Sequence, residues 1–252
     1  MTERITGRKN AVIKRLAKLG RDKSFRNAER EFVCDGIKLL TEAISAGMEI
    51  VTVLADENFA DSLPDTGNAD VYAVPRELLE FVSTLKTTQD VIFTCRMREL
   101  EAKEINRAVM LDRLQDTGNV GTIIRTADAF GIDAVYADDC ADIYNPKTIR
   151  SAMGSMFRTA VIPCSLTDEI PRIRKDGMKV YVSELHAKSV MIHECDFKGR
   201  CTVVIGNEGS GVRSEVSALC DESVVIPMTG GAESLNASVA AGIFMYEMSL
   251  GR

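Results

Sequence analysis

Two periodicities of hydrophobic and polar residues appear in the first hundred positions. Ile13, Leu16 and Leu19 recur at helical spacing, and Asn10 precedes them as a candidate N-cap. Short apolar runs bounded by polar turns alternate with further helical patterns downstream. These patterns predict a helix at 36–46, strands at 50–54 and 71–74, a helix at 76–85 and a strand at 91–95. The order is that of a small α/β domain, which we place at residues 1–97.

A polar, charge-alternating stretch at residues 98–107 is typical of a linker between domains. Beyond it, apolar runs and helical patterns alternate regularly. The predicted strands lie at 108–114, 134–137, 159–162, 179–183, 203–205 and 224–226, and the predicted helices at 120–130, 146–157, 168–175 and 237–250. This alternation indicates a mostly parallel sheet covered on both faces, so we assign residues 108–252 to a second α/β domain.

Glycine-rich loops follow the last two predicted strands of this domain. The runs Val203–Ile205 and Val224–Ile226 are β-branched and continuously apolar, as buried parallel strands are. The glycines that follow them are Gly206, Gly209, Gly211, Gly230 and Gly231. Ligands of open α/β sheets bind outside the carboxyl ends of the strands, where glycine lets main-chain groups approach closely. The two loops therefore predict a pocket walled largely by main chain.

The same loops carry few polar side chains, namely Asn207, Glu208, Ser210, Thr229, Glu233, Ser234 and Asn236. Neither loop has the lysine of a Walker loop, and GNEGSG lacks the glycine spacing of the dinucleotide fingerprint, so we expect no pyrophosphate or triphosphate ligand. The glycines could instead form only tight turns, with Ser234 or Asn236 capping the last helix. A carboxylate or amide in each of two adjacent loops favours a functional site.

Charge is unevenly distributed along a chain whose formal net charge is −6. Residues 1–30 contain ten lysines and arginines, among them Arg8, Lys9 and Lys14, against three acidic residues. A localised basic face indicates phosphate contacts, although a solvated helix surface gives the same pattern. No apolar run approaches the ~20 residues that cross a bilayer, and the first residues lack the apolar core of a signal peptide. We therefore expect a soluble cytoplasmic protein without membrane contact.

Cysteine and histidine usage argues against a metal centre. The seven cysteines are scattered without a CxxC pair, and His186 and His193 are the only histidines. Such spacing is poor for zinc or disulfides, so we expect free thiols in a reducing compartment and no metal.

The predicted helix at 120–130 lies in the segment DTGNVGTIIRTADAFG. Thr117 and Asn119 are candidate caps at its start. Arg125 shares a helix face with Thr122 and Asp128, either as a surface residue with a buried stem or as a charge held at a site.

Three segments together resemble the signature motifs of the SpoU (TrmH-like) RNA ribose 2′-O-methyltransferases: NVGTIIRTADAFG, VVIGNEGSGV and VVIPMTGGAESLNASVAAGIF. The resemblance spans nearly all of residues 108–250 and implies a trefoil-knotted α/β domain, a homodimer and S-adenosylmethionine as methyl donor. The first domain is similar to the ribosomal-protein-like α/β domain that binds RNA in many such enzymes. Pattern alone would not predict a knot.

By position, the resemblance implies cofactor contacts at Leu185, Gly206, Gly209, Ile226, Met228 and Leu235, and catalytic or substrate contacts at Asn119, Arg125, Glu208, Ser234 and Asn236. A guanidinium stays protonated, so we expect Arg125 to clamp a phosphate and stabilise charge on the 2′-oxygen rather than act as the base that the family resemblance implies. Arg150, in a basic predicted helix, is a further RNA contact, with a solvated helix face as the alternative.

The expected activity is methyl transfer to a ribose 2′-hydroxyl of structured RNA, a group that only RNA presents. The separate basic domain favours 23S ribosomal RNA over transfer RNA. Two alternatives stay open at this stage: a catalytically silent RNA-binding homologue, and an enzyme acting on a small nucleotide-like substrate.

Overall fold

The computed structural model describes residues 3–85, 87–98, 104–185 and 189–251. The chain forms two compact units. The first comprises the described residues up to Arg98 together with Asp142–Phe157, and the second comprises the remaining described residues. Residues 99–103 of the predicted linker lie outside the described part, so the proposed linker at 98–107 stays a prediction.

A five-stranded mixed sheet forms the centre of the described first unit, in the order β1-β4-β3-β5-β2. Its strands are β1 (Glu3–Arg4), β2 (Glu31–Asp35), β3 (Ile50–Asp56), β4 (Asp70–Val74) and β5 (Val91–Arg96). The helices of its amino-terminal part are α1 (Ala11–Arg21), α2 (Lys23–Glu29), α3 (Ile37–Ser45) and α4 (Arg76–Val82). β5 runs antiparallel to β2 and β3, whereas β4 is parallel to β1 and β3.

The α1 prediction is confirmed in its cap and its buried face. The Asn10 side chain accepts a hydrogen bond from the Val12 amide at 2.8 Å, and Ile13, Leu16 and Leu19 are fully buried. These side chains pack in one core with residues of β3, β4 and α4. The amphipathic pattern therefore identified the helix and the face that it buries.

The sequence prediction missed the two-residue strand β1, helix α2 and strand β2, and charged residues mask the last two. Helix α2 has little apolar surface and depends on Asp22, whose carboxylate accepts from the Phe25 amide at 3.0 Å. Strand β2 begins with Glu31, which is fully buried. Arg15 approaches the Glu31 carboxylate at 2.5 Å and Arg96 at 3.3 Å. A paired carboxylate can be buried, but its charge hides the strand from a hydrophobicity pattern.

A seven-stranded parallel sheet organises the described second unit, in the order β10-β12-β9-β11-β6-β7-β8. Its strands are β6 (Arg107–Asp112), β7 (Ala134–Asp138), β8 (Ala160–Pro163), β9 (Lys179–Ser183), β10 (Val190–Met191), β11 (Cys201–Gly206) and β12 (Glu222–Val225). Its helices are α5 (Thr117–Phe130), α7 (Leu166–Lys175), α8 (Ser214–Ser217) and α9 (Ala237–Leu250). The predicted parallel α/β architecture is confirmed, and the knot stays a prediction.

The start of α5 differs from the prediction. Asp116 caps the helix by accepting from the Asn119 amide at 2.8 Å, so the assignment of Thr117 and Asn119 as caps was wrong. Because the Asp116 carboxylate accepts from the main-chain amide of Asn119, Asn119 lies within the first turn of the helix. The Asn119 side chain is thereby free for other partners.

Residues 142–157 pack with the first unit, although chain order placed them in the second domain. They contain α6 (Pro146–Ala152) and a 3-10 turn at Met153–Phe157. Arg26, only 3% exposed, donates to the Leu19 carbonyl and forms an ion pair with Asp142. The Phe32 ring lies 4.8 Å from the Tyr144 ring, centroid to centroid. The functional division of the chain at residues 97 and 108 stays a proposal.

None of the helices within the described residues is long and apolar enough to cross a membrane.

Candidate functional site

The carboxyl ends of β9, β11 and β12 border an open cleft with a volume of about 480 Å³. These three strands are neighbours in the sheet, so the loops that follow them lie side by side. The sequence-predicted cofactor residues that line this cleft are Leu185, Gly206, Gly209, Ile226, Met228 and Leu235. All six predicted positions thus meet at one edge of the parallel sheet, where ligands of α/β proteins bind.

Gly206 allows two backbone segments to approach too closely for any other residue. A Cβ at this position would lie 2.3 Å from both the Gly211 carbonyl carbon and the Val212 nitrogen. The loop returns to this point because Asn207 and Gly211 exchange two main-chain hydrogen bonds of 2.9 and 3.0 Å. Gly211 itself has φ 68°, in the left-handed region that favours glycine. The wall of the cleft therefore requires glycine at residue 206.

Asn207 fixes the loop that follows β11, a role that the sequence did not reveal. Its Oδ1 accepts from the amides of Gly209 at 3.0 Å and Ser210 at 3.2 Å. Its Nδ2 donates to the Arg113 carbonyl at 2.8 Å, at the end of the neighbouring strand β6. An asparagine that begins a glycine-rich turn is the signal that could have indicated this, because its side chain bonds local backbone readily.

Three of the predicted catalytic residues form one hydrogen-bonded chain beside the cleft. Asn119 Nδ2 donates to Glu208 Oε1 at 2.9 Å, and Asn236 Nδ2 donates to Asn119 Oδ1 at 3.0 Å. Asn119 is buried, whereas Glu208 and Asn236 line the cleft. In both asparagine side chains the nitrogen donates a hydrogen bond and the oxygen accepts one. The bonds therefore fix the orientation of Asn119, Asn236 and Glu208.

Asn236 also caps α9, so the cap interpretation of this residue is confirmed, whereas its contact with substrate stays a prediction. Its Oδ1 accepts from the amides of Ser238 at 2.9 Å and Val239 at 3.3 Å. The cap uses the oxygen, and the bond to Asn119 uses the nitrogen. Ser234 is exposed and lines the same cleft.

Arg125 lies apart from the cleft in the single chain. It is exposed on α5, six residues after Asn119, and among the described residues no hydrogen bond or ion pair holds its side chain. It is also absent from the described residues that line the cleft. Within one chain the structure therefore does not bring Arg125 to Glu208, Ser234 or Asn236.

The predicted RNA-contacting residues lie on the first unit. Arg8, Lys9 and Lys14 are exposed at the start of α1, and Arg150 is exposed on α6. The Arg8 guanidinium lies 5.3 Å from the centre of the Phe81 ring. Basic side chains beside an aromatic ring form a surface that suits phosphates and stacked bases.

Five of the seven thiols are poorly suited to act as a nucleophile. Burial raises the pKa of Cys164 and Cys220 to about 12, and that of Cys140, Cys195 and Cys201 to about 11. These thiols stay protonated at neutral pH and lack nucleophilic reactivity. Among the residues that the structure describes, no group of three or more histidine, cysteine or acidic side chains is placed to hold a metal ion.

Two family models match the chain in succession. The SpoU rRNA Methylase family matches residues 106–246, and the MRM3-like substrate binding domain matches residues 10–92. The chain is 34% identical to the 23S rRNA (guanosine(2553)-2′-O)-methyltransferase RlmP of Bacillus subtilis, with 98% of this chain and 99% of the relative covered.

Solved structures agree with the sequence matches. The AdoMet-bound rRNA methyltransferase of Sinorhizobium meliloti has a TM-score of 0.88 at 28% identity, covering 98% of this chain and 97% of that one. The SpoU methyltransferase AviRb of Streptomyces viridochromogenes, in complex with AdoMet, has a TM-score of 0.85 at 27% identity, covering 96% and 98%. From its motifs, its sheet and these matches, the chain belongs to the SpoU rRNA methylase family.

Proposed function

We propose that the protein transfers a methyl group from S-adenosylmethionine to a ribose 2′-hydroxyl of ribosomal RNA. The observation that carries this proposal is the cleft at the strand ends, with the chain of Glu208, Asn119 and Asn236 in its wall. The relatives are named for 2′-O-methylation of 23S rRNA, and two similar structures contain AdoMet. The similarity to a bacterial relative, RlmP of Bacillus subtilis, supports a cytoplasmic location.

The cleft fits the cofactor in the chemistry of its lining. Leu185 and Met228, 82% and 40% exposed, are large apolar side chains left open at its edge. A flat aromatic base would cover them, and its burial would remove apolar surface from water. The main chain around Gly206 supplies polar groups without side-chain bulk. S-Adenosylmethionine, when bound, supplies an electrophilic methyl group on a sulfonium.

The side chains of the cleft orient the ribose rather than accept its proton by themselves. The side-chain amides of Asn119 and Asn236 hydrogen-bond to each other. Asn119 also donates to Glu208, and Asn236 also accepts from the first amides of α9. Glu208 and Ser234 also line the cleft. Oε2 of Glu208 and the Ser234 hydroxyl have no hydrogen-bond partner among the described residues. We assign to them the hydrogen bonds that hold the substrate sugar in line for displacement.

Arg125 completes the site from a second copy of the chain. Helix α9 exposes an apolar stripe of Val239, Tyr246 and Leu250, at 50%, 49% and 61% exposure, with helical spacing. The Tyr246 ring contacts Phe130 of α5, the helix that also carries Arg125. An apolar stripe of this kind marks a protein interface. In the proposed homodimer, Arg125 of each subunit clamps the RNA phosphate at the other subunit's cleft.

The first unit would hold the RNA. Arg8, Lys9, Lys14 and Arg150 supply positive charge on a chain that is acidic as a whole. Phosphate contacts of this kind give affinity and steer the RNA, whereas the second unit selects the ribose.

Asn119→Asp tests the hydrogen-bonded chain. The change places a carboxylate against Glu208 at hydrogen-bond distance, so we expect single-turnover methyl transfer to fall about 100-fold through misplacement of the cleft groups. When Glu208→Gln is added, the new side-chain amide at residue 208 can donate to the carboxylate at residue 119. We expect the rate of methyl transfer to rise about tenfold above that of Asn119→Asp alone.

Asn145→Asp is the matched control for this substitution. Asn145 accepts from the Lys147 amide through its oxygen, a bond that aspartate also makes, and it lies in the first unit. A double variant no more active than Asn119→Asp alone, with both proteins folded, would refute the role of this chain.

Arg125→Lys tests the phosphate clamp. Lysine keeps the charge but loses the two parallel donors, so we expect the turnover number to fall about 100-fold while cofactor affinity is unchanged. Arg158→Lys, at an arginine that pairs with Asp128 in the same unit, is the control and should retain activity. Near-normal turnover by Arg125→Lys would remove the clamp from the mechanism.

Subunit mixing shows which cleft Arg125 serves. Alone, Arg125→Lys chains should retain only about a hundredth of the turnover and Gly206→Val chains should be inactive. A mixed dimer regains one complete site if Arg125 acts on the partner's cleft, because the Arg125→Lys subunit keeps its own cleft. Mixed dimers without activity would place Arg125 in its own subunit's site.

The salt dependence of RNA binding tests the substrate surface. Replacing Arg8, Lys9 and Lys14 by alanine should lower the slope of log K against log salt concentration by about 2, with cofactor affinity unchanged. Alanine at Lys175 and Lys198, which are exposed on the second unit, is the control. Binding and methyl transfer are measured on ribosomal and transfer RNA. An unchanged slope would exclude this face, and preferential methylation of transfer RNA would overturn the ribosomal assignment.

A further inference from the structure

Two carboxylates lie side by side at the ends of strands β6 and β7. Asp112 and Asp138 are register partners in this parallel pair. Asp112 is fully buried, and the Asp138 side chain is only 14% exposed. Two adjacent carboxylates with little access to water repel each other and require a cation between them.

Arg213 supplies that cation. Its Nε donates to Asp112 Oδ1 at 2.7 Å, its main-chain amide donates to Asp112 Oδ2 at 2.7 Å, and its Nη2 pairs with Asp138. Burial lowers the pKa of the guanidinium, but its hydrogen bonds to Asp138 and Asp112 raise that pKa on balance. The planar guanidinium thus binds both carboxylates at once, which the single ammonium of lysine does less well.

This ion-pair network lies at the end of the loop that shapes the cleft. Residues 207–212 join Gly206 to Arg213, and Gly206 is the register partner of Asp112. The loop is fastened at its start by Asn207, which donates to the Arg113 carbonyl, and at its end by Arg213 on Asp112. Both attachments are therefore made to consecutive residues at the end of β6.

We propose that Arg213, held by Asp112 and Asp138, is a positioning residue that fixes the cleft-lining loop 207–212 against β6 and so sets affinity for the cofactor. This inference rests on the proposed function for the identity of the cofactor. Arg213 is absent from the described residues that line the cleft, so it acts through the loop. With both ends fastened, the Gly211 and Val212 backbone stays against Gly206 and the Glu208 carboxylate stays on Asn119.

Arg213→Lys and Asp112→Asn test the proposal with two readouts. Hydrogen exchange in the ligand-free protein reports the loop directly, because the amides of Gly209, Ser210 and Gly211 bond to Asn207. We expect exchange of these amides to accelerate at least about tenfold in both variants. Calorimetric titration with S-adenosylmethionine should show a dissociation constant raised at least about fivefold at unchanged stoichiometry.

Arg174→Lys is the matched control, because Arg174 in the same unit also pairs with an aspartate, Asp221, and donates to the Leu219 carbonyl. It should leave both readouts unchanged. A merely structural role for Arg213 would lower the stoichiometry or the melting temperature without changing the dissociation constant or the loop exchange. Such a result would overturn the proposal.

The two readouts separate this inference from the proposed function. If the unmodified protein fails to bind S-adenosylmethionine while loop exchange still accelerates in Arg213→Lys, the proposed function fails and the anchoring of the loop stands. If Arg213→Lys and Asp112→Asn exchange their loop amides at the unmodified rate, the anchoring itself is refuted.

Discussion

The close approach of two backbone segments at Gly206 is the constraint on which the cleft depends. Strand β11 can end there only because the returning loop meets no Cβ. That contact fixes where Glu208 emerges. Glu208 accepts a hydrogen bond from Asn119, and Asn119 in turn accepts one from Asn236. A main-chain contact thus determines the positions of side chains contributed by three distant segments of the sequence.

Apolar patterning predicted the parallel sheet of the second unit, since each buried strand is a short continuous run of apolar residues. It failed where charge is buried. Strand β2 begins with Glu31, whose carboxylate is neutralised by Arg15 and Arg96. The packing of residues 142–157 with the first unit was also missed, because it depends on Arg26 and Asp142, which are 116 residues apart. Long-range pairing of this kind leaves no local pattern.

The positions of the cleft residues were predictable, but their connections were not. Motif positions such as Leu185 and Met228 meet at one sheet edge because parallel strands end together. The hydrogen bond from Asn119 to Glu208 could be identified only from the folded structure. It forms because Asp116, rather than Asn119, caps α5. Arg125 matches the motif yet is absent from the described residues that line the cleft of its own chain. The homodimer that would bring it to a cleft stays a proposal, because contacts between subunits leave no pattern that one sequence can be searched for.

Calorimetric titration of S-adenosylmethionine into Gly206→Ala protein tests the central claim most directly. Gly199→Ala, two residues before the same strand begins, is the matched control because a Cβ there meets no atom within 4 Å. We expect the unmodified and Gly199→Ala proteins to bind S-adenosylmethionine and Gly206→Ala to show no detectable binding, with all three proteins folded. Unaltered affinity in Gly206→Ala would contradict the claim that this backbone contact shapes the cofactor site.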